Sequence, residues 1–285
     1  MQHIIKSYLK FLWKSTNAHG VHSPFVFDLV RKCFYDKTNY PEYKVLDDYR
    51  NSLLQNKNTI EVTDFGAGSR VFKSNVRAIN KVAENAGISP KDAQLLFRVV
   101  HYFQPEKILE IGTSLGLATS ALAQNNVAEI TTLEGCPNTM AIAKNQLQLQ
   151  FPTFENKINF VVTEFESHLQ TYPEVSGLKP QTLNLIYLDG NHSKEATLNY
   201  FELLLPTISN ETVWIFDDIH WSKGMEEAWE IIKKHPKVTV TIDTFQWGFV
   251  FFRKEQVKED FIIRTSKSFF LDQILGIKNL WGLLH

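Results

Sequence analysis

Two apolar runs of this 285-residue chain end in acids: Leu185-Ile186-Tyr187-Leu188-Asp189 and Val213-Trp214-Ile215-Phe216-Asp217-Asp218. Each acid has a histidine close behind it, His192 in Asp189-Gly190-Asn191-His192 and His220 in Asp218-Ile219-His220-Trp221. Imidazole titrates near neutrality, with an unperturbed pKa of about 6.5, so both histidines are candidates to take a proton in a reaction. The alternative for each is a satisfied surface or core histidine. Carboxylates gathered at one place repel unless something compensates. Two readings stand side by side. Asp189, Asp217 and Asp218 hold a hard divalent cation such as Mg²⁺, or Asp218 caps the next helix and Asp189 bonds its own turn, with no metal.

A third feature is Ile108-Leu109-Glu110-Ile111-Gly112-Thr113-Ser114-Leu115-Gly116, an apolar strand entering a glycine turn and then a helix around Ala118–Ala123. Glycine lets a backbone approach a ligand closely, and a helix start presents free N–H groups. Glu134 stands 24 residues after Glu110, at the end of the next apolar run. A carboxylate there can accept both hydroxyls of a ribose, which points to an adenosine-type ligand. The competing reading is a tight turn plus an unrelated surface acid. A second glycine cluster, Asp64-Phe65-Gly66-Ala67-Gly68-Ser69, has no apolar strand leading into it and reads as a loop, one placed to fold over a ligand. His19 and His22 read as loop residues, with a lid element as the alternative.

The elements that must position these residues follow from the alternation of short apolar runs with helix-period stretches after residue 107, the signature of βα units. Strands are expected at Lys107–Ile111, Glu129–Glu134, Lys157–Thr163, Leu183–Asp189 and Val213–Asp217. In a parallel sheet their C-terminal ends open on one edge, so the glycine turn and the acids should converge there. Val238–Thr244 and Trp247–Arg253 are too close for a helical crossover and are expected to pair antiparallel. The expected fold class is α/β: a Rossmann-like parallel sheet flanked by helices, ending in an antiparallel strand pair, with an N-terminal helical cap. Residues 1–88 form that cap, 89–254 the ligand-binding domain, and 255–285 an amphipathic helical tail. Ser23-Pro24 and Ser89-Pro90-Lys91-Asp92 are helix starts. In the tail, Phe270, Ile274, Ile277, Trp281 and Leu284 fall at helical spacing, which suits a docked helix, a homodimer interface or a membrane contact.

A composition of 44% hydrophobic and 21% charged residues excludes disorder and collagen-like repeats. Thirty basic against 31 acidic side chains give no global reason to expect nucleic acid as a partner. The balance is uneven, with 13 Lys/Arg against 8 Asp/Glu in residues 1–90. Two cysteines, Cys33 and Cys136, make neither a disulfide framework nor a zinc site, and a reducing cytoplasm is the expected compartment. No apolar run is long enough for a transmembrane segment. Lys6, Lys10 and Lys14 fall four apart before the first acid, Asp28. They form the wet face of a helix, with a membrane-surface helix or a targeting peptide as alternatives.

Residues 90–253 resemble class I S-adenosylmethionine-dependent methyltransferases, within them the small-molecule O-methyltransferases of the catechol and caffeoyl-CoA type. Glu110 through Gly116 is similar to that family's first motif, Glu134 to its ribose-binding acid, and Thr163-Glu164-Phe165 to its adenine contact. The closing antiparallel pair fits as well. The resemblance implies S-adenosyl-L-methionine as cofactor, held by Glu110, Gly112, Thr113, Ser114, Gly116, Glu134, Glu164, Phe165 and Asp189. In the cation-dependent branch an Asp and an Asp-Asn pair hold the metal. Asp189 and Asp217-Asp218 take those places, with Asp218 for the Asn. His192 stands where the catechol enzymes carry a lysine base, and the aspartate-glycine-x-histidine turn also resembles a broader methyltransferase group. Transfer of a methyl group to a small-molecule acceptor, most simply its oxygen, is the expected activity. The alternatives are a nicotinamide-dependent oxidoreductase and a non-catalytic binding or membrane-surface protein. Against the first, the glycines are spaced Gly112-x-x-x-Gly116 rather than G-x-G-x-x-G.

Overall fold

The computed structural model describes residues 2–63, 74–154, 157–172 and 182–265. The glycine cluster at 64–69 and the tail spacing at 270–284 lie outside them. The N-terminal segment contains α1 (Gln2–Lys14), α2 (Pro24–Leu29), α3 (Pro41–Gln55), a hairpin of β1 (Thr59–Glu61) and β2 (Val76–Ala78), and α4 (Ile79–Asn85). α5 (Pro90–Phe103) leads into the alternating part: β3 (Lys107–Ile111), α6 (Leu117–Ala123), β4 (Glu129–Glu134), α7 (Pro137–Gln150), β5 (Ile158–Val162), α8 (Phe165–Leu169), β6 (Leu185–Leu188), α9 (Lys194–Leu204), β7 (Val213–Asp217) and α10 (Lys223–Lys234). β8 (Val240–Asp243), β9 (Trp247–Phe251) and β10 (Glu259–Ile262) close the described chain.

The predicted caps are in place. Ser23 Oγ accepts from the Val26 amide at 3.4 Å, and Ser89 Oγ accepts from Asp92 at 3.2 Å while donating to the Asp92 carboxylate at 2.6 Å. Each serine satisfies an orphan N–H in front of a proline that has none to offer.

Eight strands form one sheet in the order β10-β8-β9-β7-β6-β3-β4-β5. β5, β4, β3, β6 and β7 run parallel, and β9 is antiparallel to both β7 and β8. The strand side chains alternate with period two between two cores. Ile108, Leu185, Tyr187, Val213 and Ile215 enter one cluster; Leu109, Ile111, Ile186, Leu188, Trp214 and Phe216 enter the other. Both faces are therefore covered, which is why the strands read as unbroken apolar runs.

The structure revises two expectations. The N-terminal segment is not purely helical, because β1 and β2 pair antiparallel. The cap read at residues 1–88 also shares a core with the domain read at 89–254: Val26, Leu29, Val30, Phe34 and Leu46 pack in one cluster with α5, α6 and the sheet. Finally, residues 259–262, assigned to a helical tail, form β10, parallel to β8. Thr16 extends this edge, bridging to Ile263, while the Arg264 guanidinium donates to the Ser15 carbonyl and hydroxyl at 2.8 and 2.9 Å.

Candidate active site

The sheet order reverses at β3, which has β4 on one side and β6 on the other, and the crevice lies at the C-terminal ends of these strands. After β3 the chain turns through Gly112 (φ +101°), Ser114 (φ +48°) and Gly116 (φ +77°). A Cβ on Gly112 would sit 2.3 Å from the Asp189 carbonyl oxygen, so only glycine allows the turn to pass the end of β6. Glu134, at the end of β4, accepts from the Ser114 amide at 2.8 Å with one oxygen and from the Cys136 amide at 2.9 Å with the other. The two features singled out in the sequence are thus one structure. A carboxylate has about four acceptor positions. Glu134 also lines the crevice.

Gly112, Ser114, Glu134, Glu164, Phe165 and Asp189 all line this crevice, whose volume is about 910 Å³ with its open mouth included. Phe165 packs against Gly190, where a Cβ would meet its ring at 2.6 Å. Three other expected ligand residues stand behind the wall. Glu110 is fully buried; one oxygen accepts from Thr119 and Thr132, each at 2.6 Å, and the other has no partner. Burial pushes its carboxyl up to about 7 against those two hydroxyls. Thr113 turns inward to the hydroxyl of Thr132. Gly116 faces α3, where a Cβ would meet the Tyr49 hydroxyl at 2.8 Å. These three shape the turn rather than the lining. Burial likewise raises Glu134, with the amides of Cys136 and Ser114 opposing it.

At the ends of β6 and β7, Asp189, His192 and Asp217 each offer a ligating atom within 4.8 Å of the others. His192 Nε2 is 3.5 Å from an Asp189 oxygen, and Asp217 accepts from the Gln246 amide at 3.1 Å. Burial raises Asp189, with His192 opposing; burial and the neighbouring Asp189 hold Asp217 well above the carboxylate range. Burial works against the charge on His192, but Asp189, Asp217 and Asp218 outweigh it and lift the imidazole to about 9. His192 therefore stands where a positive charge would offset the crowded carboxylates.

Two expected residues have other settings. Asp218 leaves the strand at φ +54° and accepts from Gln246 at 2.9 Å, outside the group of three, so His192 replaces it there. His220 has both ring nitrogens engaged, Nδ1 with Glu226 at 2.8 Å and Nε2 with Asp243 at 2.9 Å, and its ring stacks on Phe245. Burial opposes its charge, yet Asp243 and Glu226 raise its pKa. Its two ring nitrogens are thus held between carboxylates, and His220 is not among the residues that line the crevice.

Sequence reasoning missed several lining residues: Val62, Thr63, Arg77, Val82 and Ala86 from the N-terminal segment, Thr139 from α7, and Asn191 and Tyr200. Asn191, at φ +51° in the Asp189-Gly190-Asn191 turn, carried a readable signal because asparagine tolerates that conformation. The others arrive through tertiary packing. His19 belongs to a short 3₁₀ turn (Ala18–Gly20) capped by Asn17.

The family described as methyltransferase domain matches residues 109–219, from β3 to the turn after β7. This part of the chain is a methyltransferase domain. No curated protein matches the sequence. Among solved structures, SAH-bound methyltransferase PaMTH1 of Podospora anserina superposes with a TM-score of 0.56 at 14% identity, covering 82% of this chain and 97% of that one. The O-methyltransferase TomG of Streptomyces achromogenes, solved in complex with SAM, gives 0.51 at 17% identity, covering 59% and 82%. Identities this low speak for the fold, and the shared fold is the class I methyltransferase sheet with its antiparallel ending. Among the described residues, no helix is long and apolar enough to cross a membrane.

Proposed function

We propose that this protein is a cytoplasmic S-adenosylmethionine-dependent methyltransferase that methylates a hydroxyl of a small acceptor. The observation that supports the reading is the bond from the Ser114 amide to Glu134, which holds that carboxylate beside the glycine turn on one wall of the crevice. The lining suits the cofactor. Glu134 would accept from the ribose hydroxyls, Phe165 would stack on the adenine, and the turn at Gly112–Ser114 would take the amino-acid end. When bound, S-adenosylmethionine supplies a methyl group activated on a sulfonium sulfur.

The chain's own task is to position the acceptor and take its proton, since a displacement at carbon gains most from reactants held at near-attack distance. Asp189 faces the crevice and Asp217 and His192 stand behind it. Asp189 and His192, whose Nε2 lies 3.5 Å from the Asp189 carboxylate, are the pair that would take the acceptor proton. The same three side chains fit a divalent cation, which would lower a hydroxyl's pKa. With an imidazole among the donors, such a site suits a transition ion better than Mg²⁺.

Titration calorimetry with S-adenosylhomocysteine tests the assignment. Saturable heat is expected, with affinity reduced at least about tenfold by Glu134→Ala, the loss of one charge-assisted pair. Heat with NADH and none with S-adenosylhomocysteine would overturn it.

A further inference from the structure

α1 carries two faces of different chemistry. Its inner face is docked: Phe11 is buried, Tyr8 and Phe11 pack on Phe245 at 4.8 and 5.5 Å between ring centroids, and His3 lies 3.7 Å from Glu226. Phe245 follows β8 and Glu226 belongs to α10, so the helix sits at the same edge of the sheet on which β6 and β7 end in their acids. Its outer face presents Ile5, Leu9 and Trp13 at four-residue spacing, exposed by 55%, 62% and 55%. One step round the helix, Lys6, Lys10 and Lys14 form a parallel row, all exposed. The helix contains no acidic residue.

We propose that α1 is an interfacial helix that holds this enzyme on an anionic lipid surface. Four-residue spacing keeps three large apolar side chains in one line along a helix. Left in water they are a standing cost; laid at the boundary between headgroups and acyl chains they are buried, with the indole of Trp13 at the level such rings favour. The lysine row lies alongside, where its ammonium groups reach lipid phosphates and carboxylates while their stems follow the apolar stripe. Charge complementarity selects an anionic lipid surface over an apolar protein partner, since a protein partner has no general reason to match three lysines in register with the stripe. The helix anchors through its opposite face, so insertion requires no unfolding.

Sedimentation with phosphatidylcholine vesicles containing about 30% phosphatidylserine, against pure phosphatidylcholine, reads the proposal at roughly physiological salt. Partition onto the anionic vesicles is expected to exceed that onto neutral ones by about tenfold or more, and to fall as salt rises. Leu9→Asp and, separately, Lys6→Glu with Lys10→Glu should each reduce it by at least about tenfold without shifting the melting temperature or the binding of S-adenosylhomocysteine. Equal partition onto both vesicles, or none, overturns the proposal. So does a Leu9→Asp variant that still pellets, or one whose only effect is to convert a dimer to a monomer in gel filtration, which would make the stripe a contact between chains.

Discussion

Glu110 and Glu134 both sit on strands of the same sheet, yet their neighbours give them different work. Glu110 is sealed beneath the turn with two threonine hydroxyls and braces it, whereas Glu134 is held by two backbone amides at the rim. His192 and His220 diverge in the same way. A ring nitrogen of His192 faces a carboxylate on the crevice wall, while His220 is spent on two carboxylates away from it. The raised pKa of His192 sets a direction for stability against pH. Its partners favour the protonated form in the folded state, so their contribution is complete below the unfolded value of about 6.5 and is lost as pH rises through about 9. Thermal unfolding of the wild type should therefore decline between those pH values, by no more than about 2 kcal/mol, and His192→Ala should flatten that decline. If a proton, not a cation, neutralises the cluster, the profile and the turnover are unchanged by EDTA; loss of turnover in EDTA would identify a metal centre.

At the level of elements, β3, β4 and β7 begin and end where the apolar runs of the sequence do, since buried parallel strands must be apolar on both faces. β10 escaped notice because its Glu259-Asp260 start carries the polar character of an edge strand, which faces solvent. β1 and β2 are three residues each, too short for alternation to register. α3 has a role no local pattern announces: the Tyr49 hydroxyl donates to the Leu115 carbonyl at 2.8 Å in the glycine turn, and Tyr49 fills the space that Gly116 leaves. Tyr49→Phe leaves that carbonyl buried without its donor. A cost of about 1–2 kcal/mol is expected in chemical denaturation, together with weaker S-adenosylhomocysteine binding, because the turn that holds the ligand loses its brace. Unchanged affinity with reduced stability would confine the tyrosine to packing.

Across the whole molecule, the segment read as an N-terminal cap is part of the main core. Phe34 packs on Phe249 and Phe25 on Phe251, at 5.2 and 5.0 Å between ring centroids, and the segment also supplies one wall of the crevice. Removing residues 1–88 would expose Leu96, Phe97, Val99, Val100, Phe249 and Phe251, all now buried. At about 2 kcal/mol for each, the loss is comparable to the entire net stability of a typical domain, about 5–15 kcal/mol. The truncated chain should show no cooperative unfolding by circular dichroism; a soluble, cooperatively folded 89–285 fragment would restore the picture of a separable cap. The sequence by itself determined the βα order, the antiparallel ending, the glycine turn with Glu134, and Asp189 with His192, because strand burial and turn geometry act over a few residues and leave their mark in residue type. Only the tertiary structure decided that His192 rather than Asp218 completes the acidic cluster, that His220 is spent on ion pairs, and that the N-terminal segment shares the core. Each of these depends on which side chains meet across tens to hundreds of residues, and apolar burial and charge pairing at that range carry no spacing that a single sequence displays.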